Sequence, residues 1–289
     1  MLVELVVISG KGGTGKTTLT SSLAYLSHES FVKVDCDVDA SNLHLMFGGQ
    51  LVESKDFIGA KVATIDQNKC NACGACFEVC RYGAIDKGHI FKVNTLRCEG
   101  CGACRQVCLN LAISLIDETT GQTYISQSNK GFLSSADLLP GAEGSGKLVS
   151  DVRKKAKGIK SSKNYIIDGS PGTGCSVMAS ITGCDYSIIV TEPTYSGFED
   201  FIRIKQLTEH FGIKTFVVIN KFDINQDMTD KIEDYCKSNQ LEVIGKIPFD
   251  SHVNEAINKG LPIVSFKLAP AGDAIISIWE KLNRKGVLI

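Results

Sequence analysis

The sequence carries almost no net charge: 31 lysines and arginines face 32 aspartates and glutamates, leaving −1. Such a chain has no global field with which to hold a nucleic acid or an anionic membrane, so neither is expected as a partner. No apolar run approaches the roughly 18 residues of a membrane span, so no stable membrane insertion is expected. The opening MLVELVVISG has no basic leader segment and no cleavage site, which points to a cytoplasmic protein. The five histidines, His28, His44, His89, His210 and His252, fall at no ligand spacing. What is abundant instead is cysteine. Twelve cysteines in a cytoplasmic chain argue for metal or redox chemistry rather than disulfides. Eight are clustered, while Cys36, Cys175, Cys184 and Cys236 are scattered. With 289 residues and 43% hydrophobic content, one large core or a core plus a small module can form.

The apolar run Leu2 to Ile8 leads into GKGGTGKTT, residues 10 to 18, and then into a helical stretch, Lys16 to Leu26. Strand, glycine loop and helix in that order make a phosphate site. Gly10, Gly12, Gly13 and Gly15 allow successive N–H groups, with those of Thr14, Thr17 and Thr18, to face one concavity at a helix N-terminus. Lys16 would reach the terminal phosphates and Thr17 would ligate Mg²⁺. A second lysine, Lys11, stands within the loop. The short strand Phe31 to Val34 then ends in Asp35-Cys36-Asp37-Val38-Asp39, where ligands bind in parallel sheets. Asp39 could also cap a helix. Cys36, pointing opposite to its acidic neighbours, reads as core. The strand Tyr165 to Asp168, followed by Gly-Ser-Pro-Gly-Thr-Gly, places another carboxylate, Asp168, in the Mg²⁺ shell and a pliable loop after it.

KGGxGKT, the acidic loop and PGTG together resemble the P-loop ATPases of the MinD/ParA, Mrp and nitrogenase iron-protein group. The resemblance implies ATP or ADP with Mg²⁺, and Mg-dependent ATP hydrolysis. It also implies a dimer, of like chains or with a paralogue, in which Lys11 crosses to the partner's nucleotide. By position, Lys11, Lys16 and Asp37 take catalytic roles, Asp37 orienting the attacking water and Asp35 supporting the Mg²⁺ shell. Asn220, ending a strand in VVINKFD, and Pro248, in IPFDSHVNEAINKGLPI, match the base pocket of that group. Cys175 sits where the nitrogenase iron protein holds a bridging cluster, but the second cysteine of that pair has no counterpart near Gly144-Ser145-Gly146. Cys175 is therefore left as either a switch-linked thiol or filler, and Cys184 and Cys236 read as filler.

Between residues 61 and 118 the composition changes. Cys70, Cys73, Cys76 and Cys80 form CxxCxxCxxxC, and Cys98, Cys101, Cys104 and Cys108 repeat it 28 residues later. The spacing is that of a two-cluster bacterial ferredoxin, in which the fourth cysteine of each run serves the other cluster. Cys70, Cys73, Cys76 and Cys108 would hold one 4Fe–4S cluster, and Cys98, Cys101, Cys104 and Cys80 the second. Zinc is the rival, but zinc sites separate their CxxC pairs more widely. Arg81 and Leu109 replace the proline that usually follows the fourth cysteine.

The expected architecture is thus an α/β P-loop domain, residues 1–60 and 119–289, with a mostly parallel sheet covered by helices on both faces, interrupted by an α+β ferredoxin-like domain at 61–118. Strands are expected at Thr123–Ser126, Gly131–Leu138, Ser187–Thr191, Thr215–Ile219 and Glu242–Ile247. Helices are expected at Leu148–Lys157, Gly197–Phe211, Thr229–Ser238 and Asp273–Leu282. The apolar stripe of the last helix should pack on the sheet, since no sustained basic face marks it for a membrane. The basic run Arg153, Lys154, Lys155, Lys157, Lys160 and Lys163 is a solvated face or a docking patch. Three functions compete: ATP-gated electron transfer to another protein, cluster or metallocofactor delivery, and MinD-like positioning with structural clusters.

Overall fold

The computed structural model of the protein describes residues 2–27, 30–159 and 164–288. Two compact units emerge, one comprising Met1–Lys55, Thr123–Asp137 and Ser145–Ile289, the other Asp56–Gln122 and Leu138–Gly144. In chain order the first elements are β1 (Glu4–Ser9), α1 (Lys16–Leu26), β2 (Phe31–Asp35), α2 (Leu43–Phe47) and β3 (Gln50–Ile65). Then come α3 (Ala75–Val79), β4 (Ile85–Asp86), β5 (Lys92–Val93), α4 (Ala103–Gln106), β6 (Ile113–Ser128), β7 (Gly131–Leu138) and α5 (Ser145–Lys157). The remainder is β8 (Asn164–Pro171), α6 (Cys175–Ile181), β9 (Tyr186–Thr191), α7 (Tyr195–His210), β10 (Lys214–Asn220), α8 (Gln226–Ser238), β11 (Glu242–Ile247), α9 (His252–Asn258) and α10 (Pro270–Arg284).

The larger unit is built on a sheet ordered β11-β10-β9-β1-β8-β2-β7-β6-β3. From β11 to β7 the pairs are parallel. All six residues of β1 are buried, as a strand covered on both faces requires. Leu5 and Val7 join α1 and α10 residues such as Leu19, Leu23, Ile275, Ile278 and Leu282 in one core. Val6 and Ile8 are equally sealed and, by strand alternation, face the other way. Gly169 meets them there, since a Cβ on it would lie 2.6 Å from Ile8 Cγ2. The last helix therefore packs its apolar stripe on the sheet. Among the described residues no helix is long and apolar enough to cross a membrane.

The smaller unit holds two short helices, the antiparallel β4–β5 pair and the adjoining lengths of β3 and β6. Its core is Ala63, Cys76, Ile85, Phe91, Cys104 and Ile113. Both α3 and α4 start from a left-handed glycine, Gly74 at φ 84° and Gly102 at φ 76°.

Several bounds differ from expectation. β6 is one strand of 16 residues, hidden because Asp117–Gln122 supplies no apolar alternation. α5 starts at Ser145, three residues before the expected Leu148, and α8 starts at Gln226, where the Asn225 side chain accepts from Met228 N–H at 3.1 Å. Asp39 caps nothing; Asn42 precedes α2. The basic run is no uniform docking face. Arg153 is buried against Glu4, which also pairs with Lys157, and Lys155 reaches Glu53 at 3.1 Å. Lys160 and Lys163 lie outside the described residues, as does His28.

Candidate functional site

The carboxyl ends of β1, β2 and β8 converge on the glycine loop. Gly13 and Gly15 take φ of 78° and 87°, a left-handed conformation that glycine adopts without steric cost. At Gly15 a side chain is excluded twice, by φ and by Asn220 Nδ2, 2.2 Å from where a Cβ would be. Beyond Gly12 and Gly13 the space is open.

Lys16, 5% exposed, points its Nζ to Asp168 Oδ1 at 2.9 Å and to Asp37 Oδ2 at 3.5 Å. Thr17 Oγ1 donates to Asp168 Oδ2 at 2.7 Å, and Thr20 Oγ1 to Oδ1 at 2.8 Å. Burial alone would pull the Lys16 ammonium down, but Asp168 and Asp37 outweigh it and raise its pKa. The carboxylates stand where an anionic phosphate would compete for the same cation and hydroxyl. Among the described residues the buried Thr14 hydroxyl has no partner, so the loop retains polar capacity for a ligand. These groups fit a Mg²⁺-nucleotide.

Asp35 and Asp168 are register partners on adjacent strands and both are sealed from solvent. Burial, then the charge of Asp168, pushes Asp35 up to about 7. Its oxygens accept from Asp37 N–H at 3.1 Å, Ser41 Oγ at 2.9 Å and Leu43 N–H at 3.0 Å. Asp35 thereby shapes the acidic loop that presents Asp37, whose own pKa is raised by burial against the pull of Lys16.

Asn220 Nδ2 donates to Thr14 O at 2.8 Å and its Oδ1 accepts from Lys221 N–H at 3.0 Å. The amide thus clamps the glycine loop and retains one N–H and one lone pair for a base. Asn220 and Pro248 line one cavity with Gly13, Gly15 and Thr18. Thr20 escaped the sequence reading, although its place one turn after Lys16 on α1 was a usable signal. Lys11 does not reach the loop's concavity; its Nζ lies 3.2 Å from Ser196 Oγ on α7.

In the smaller unit the eight cysteines separate into two cavities. Cys70, Cys73, Cys76 and Cys108 line one, and Cys80, Cys98, Cys101 and Cys104 the other. Backbone N–H groups already point at sulfur: Ala72 to Cys70, Ala84 to Cys80 and Ala63 to Cys98 at 3.4 Å, and Ala112 to Cys108 at 3.3 Å. Among the described residues no three His, Cys, Asp or Glu side chains converge as a single metal ion requires. Four cysteines to a cavity is a donor set that a 4Fe–4S cube can take. Cys175 is exposed at the start of α6, while Cys36, Cys184 and Cys236 are buried and burial pushes their thiols up.

A lysine and a threonine hydroxyl turned on a β-strand aspartate at a glycine loop mark the class: a P-loop α/β nucleotide-binding protein. Within that class the chain belongs to the CobQ/CobB/MinD/ParA nucleotide binding domain family, matching it over residues 5–263. An uncharacterized protein of Methanocaldococcus jannaschii is 33% identical over 286 residues, 98% of this chain and 97% of that one. The iron-sulfur cluster carrier protein of Pyrococcus abyssi is 26% identical over 98% of this chain and 86% of its own. Among solved structures, the cell division ATPase MinD of Pyrococcus furiosus shares the fold, with TM-score 0.60 and 18% identity over 99% of this chain and 100% of that one.

Proposed function

We propose that this protein binds and hydrolyses ATP and couples a nucleotide-driven dimer switch to electron transfer through two 4Fe–4S clusters. The observation that carries the reading is the division of eight cysteines into two cavities of four, each mixing three cysteines of one run with the fourth of the other. A cube, when bound, supplies one-electron transfer. The cysteine thiolates hold it, and the alanine N–H groups aimed at Cys70, Cys80, Cys98 and Cys108 tune it. At the nucleotide site Lys16 carries the phosphate charge, Thr17 and Asp168 hold Mg²⁺, and Asp37 orients water. Asn220 and Pro248 take the base, and Lys11 answers the partner's nucleotide. The client is a protein with its own redox or metal cofactor.

Delivery of clusters is the second reading, favoured by the naming of Pyrococcus relatives as iron-sulfur cluster carrier proteins. Protein purified without oxygen should hold about eight irons and eight labile sulfides per chain. Stoichiometric zinc without sulfide would remove both readings. Rapid loss of iron to an added apoprotein on ATP binding would favour delivery; retention through repeated reduction favours electron transfer.

A further inference from the structure

Beyond Asp168 the strand β8 falls out of step with β1. Val7 is the register partner of Asp168 and Ser9 that of Pro171, so three steps along β8 match two along β1. The extra residue makes a bulge, and a bulge re-aims the side chains it carries. Ser170 lies within it, 2% exposed, and its Oγ donates to the carbonyl of Cys36, 134 residues away. Ser170 N–H donates to Ser180 Oγ at 3.2 Å; Ser180, fully buried on α6, donates in turn to Ser176 O at 2.8 Å. The peptide between Cys36 and Asp37 is thereby gripped at both ends. Ser170 holds its carbonyl, and Asp35 Oδ1 accepts its N–H, that of Asp37, at 3.1 Å. One residue back, Cys36 N–H donates to Asp168 O at 2.8 Å.

We propose that Ser170 is a positioning residue that sets Asp37 for hydrolysis through the Cys36–Asp37 peptide, with Ser180 holding Ser170 in turn. Ser170 acts only through that peptide and touches no reacting atom. The side chain of Asp37 is tied here by Lys16, whose Nζ lies 3.5 Å from Oδ2, but a bound nucleotide's phosphates take that cation. What then places Asp37 is its backbone, and the backbone is held by Ser170 on one side and Asp35 on the other. The hold is built from buried groups, where a carbonyl left without its donor is costly, so the peptide keeps one orientation. The inference rests on the reading of Asp37 as the residue that orients the attacking water.

Three measurements on the holoprotein test this: kcat for ATP, affinity for a non-hydrolysable ATP analogue, and amide exchange without nucleotide. Exchange is read by mass spectrometry over the peptide 35–41, with β1 as the reference. In Ser170→Ala, kcat should fall by up to about 100-fold, as expected when a reacting group is misplaced by about 1 Å. Analogue affinity should stay within about twofold of native, since only the transition state loses a contact. Exchange over 35–41 should rise about tenfold, the factor one hydrogen bond of ordinary net strength allows, with β1 unchanged. A rise shared by β1, a loss of kcat without faster exchange, or faster exchange with native kcat each overturns the positioning role. Ser180→Ala, the milder change, should move both readings in the same direction and less far; native values there overturn its share in the hold. Asp37→Asn separates the hold from the reading beneath it. If that variant hydrolyses ATP at the native rate, the water-orienting role fails, while faster exchange in Ser170→Ala still reports the hold.

Discussion

Lys16 satisfies two carboxylates at once, at 2.9 Å to Asp168 and 3.5 Å to Asp37, and that competition sets what its loss should do. In Lys16→Ala, ATP affinity should drop by at least about tenfold from loss of the phosphate cation, with iron and sulfide content unchanged. Unchanged affinity by equilibrium dialysis would mean the loop is misread. The buried carboxylates make a second residue-level prediction. Asp35 is pushed up to about 7 from 3.8, first by burial and then by Asp168, and Asp37 is raised likewise. Between those limits the folded state keeps a proton that the unfolded chain has lost. Stability of the nucleotide-free protein should therefore fall as pH rises through that window and level off above about 7. Asp250 has the opposite sign: donors from Ala271, His252 and its ring outweigh burial and lower its pKa, so its contribution is lost only as pH drops below the unfolded carboxylate value. Asp35→Asn should flatten the decline between about pH 5 and 7, read as thermal midpoints. A slope identical to the native one would show that Asp35 titrates as an ordinary carboxylate.

At the level of elements, the cysteine repeat extends to the backbone. Ala72 at φ 56° and Gly100 at φ 60° occupy equivalent positions, as do Gly74 with Gly102, and Gly83 at φ 59° with Leu111 at φ 50°. Gly100 has a further reason to be glycine: a Cβ there would lie 2.1 Å from Lys61 O. Gly100→Ala should destabilise the smaller unit by about 1–3 kcal/mol. Ala72→Gly should be near neutral, because relief of left-handed strain is offset by a looser unfolded chain. Denaturation followed by loss of cluster absorbance would measure both, and equal effects would break the asymmetry. The sequence pattern made the P-loop, α1, β7 and the cysteine sets legible, since each depends on local spacing. It did not reveal β3, whose first seven residues are exposed, or α9, which falls within a segment read as a base-pocket loop. Ser41 gave no local signal, and Thr20 only its place one turn after Lys16, because their roles depend on partners brought in by the fold: Thr20 and Asp168 are 148 residues apart. The basic run misled for the same reason, its Arg153 being partnered by Glu4 at a separation of 149 residues.

For the molecule as a whole, the order of the chain bears on coupling. The chain leaves the nucleotide unit at residue 55, after the Asp35–Asp39 loop, and re-enters it at residue 123, before the Asp168 strand. Two of the four crossings between the units fall inside regular strands, β3 and β6, and a second short excursion, Leu138–Gly144, precedes α5. If ATP draws two chains together through Lys11 and the cysteine cavities hold the proposed clusters, the surroundings of those clusters should change, and with them their potentials. A non-hydrolysable ATP analogue should shift at least one potential by about 30 mV, or roughly 0.7 kcal/mol for one electron. Linkage then fixes a second result: nucleotide affinity must differ between the reduced and oxidised protein by the same free energy. Redox titration with and without the analogue, alongside calorimetric affinity in both redox states, checks the two numbers against each other. Equal potentials together with equal affinities would exclude coupled electron transfer and leave cluster delivery as the reading that still accounts for eight cysteines, four to a cavity, in a nucleotide-binding chain.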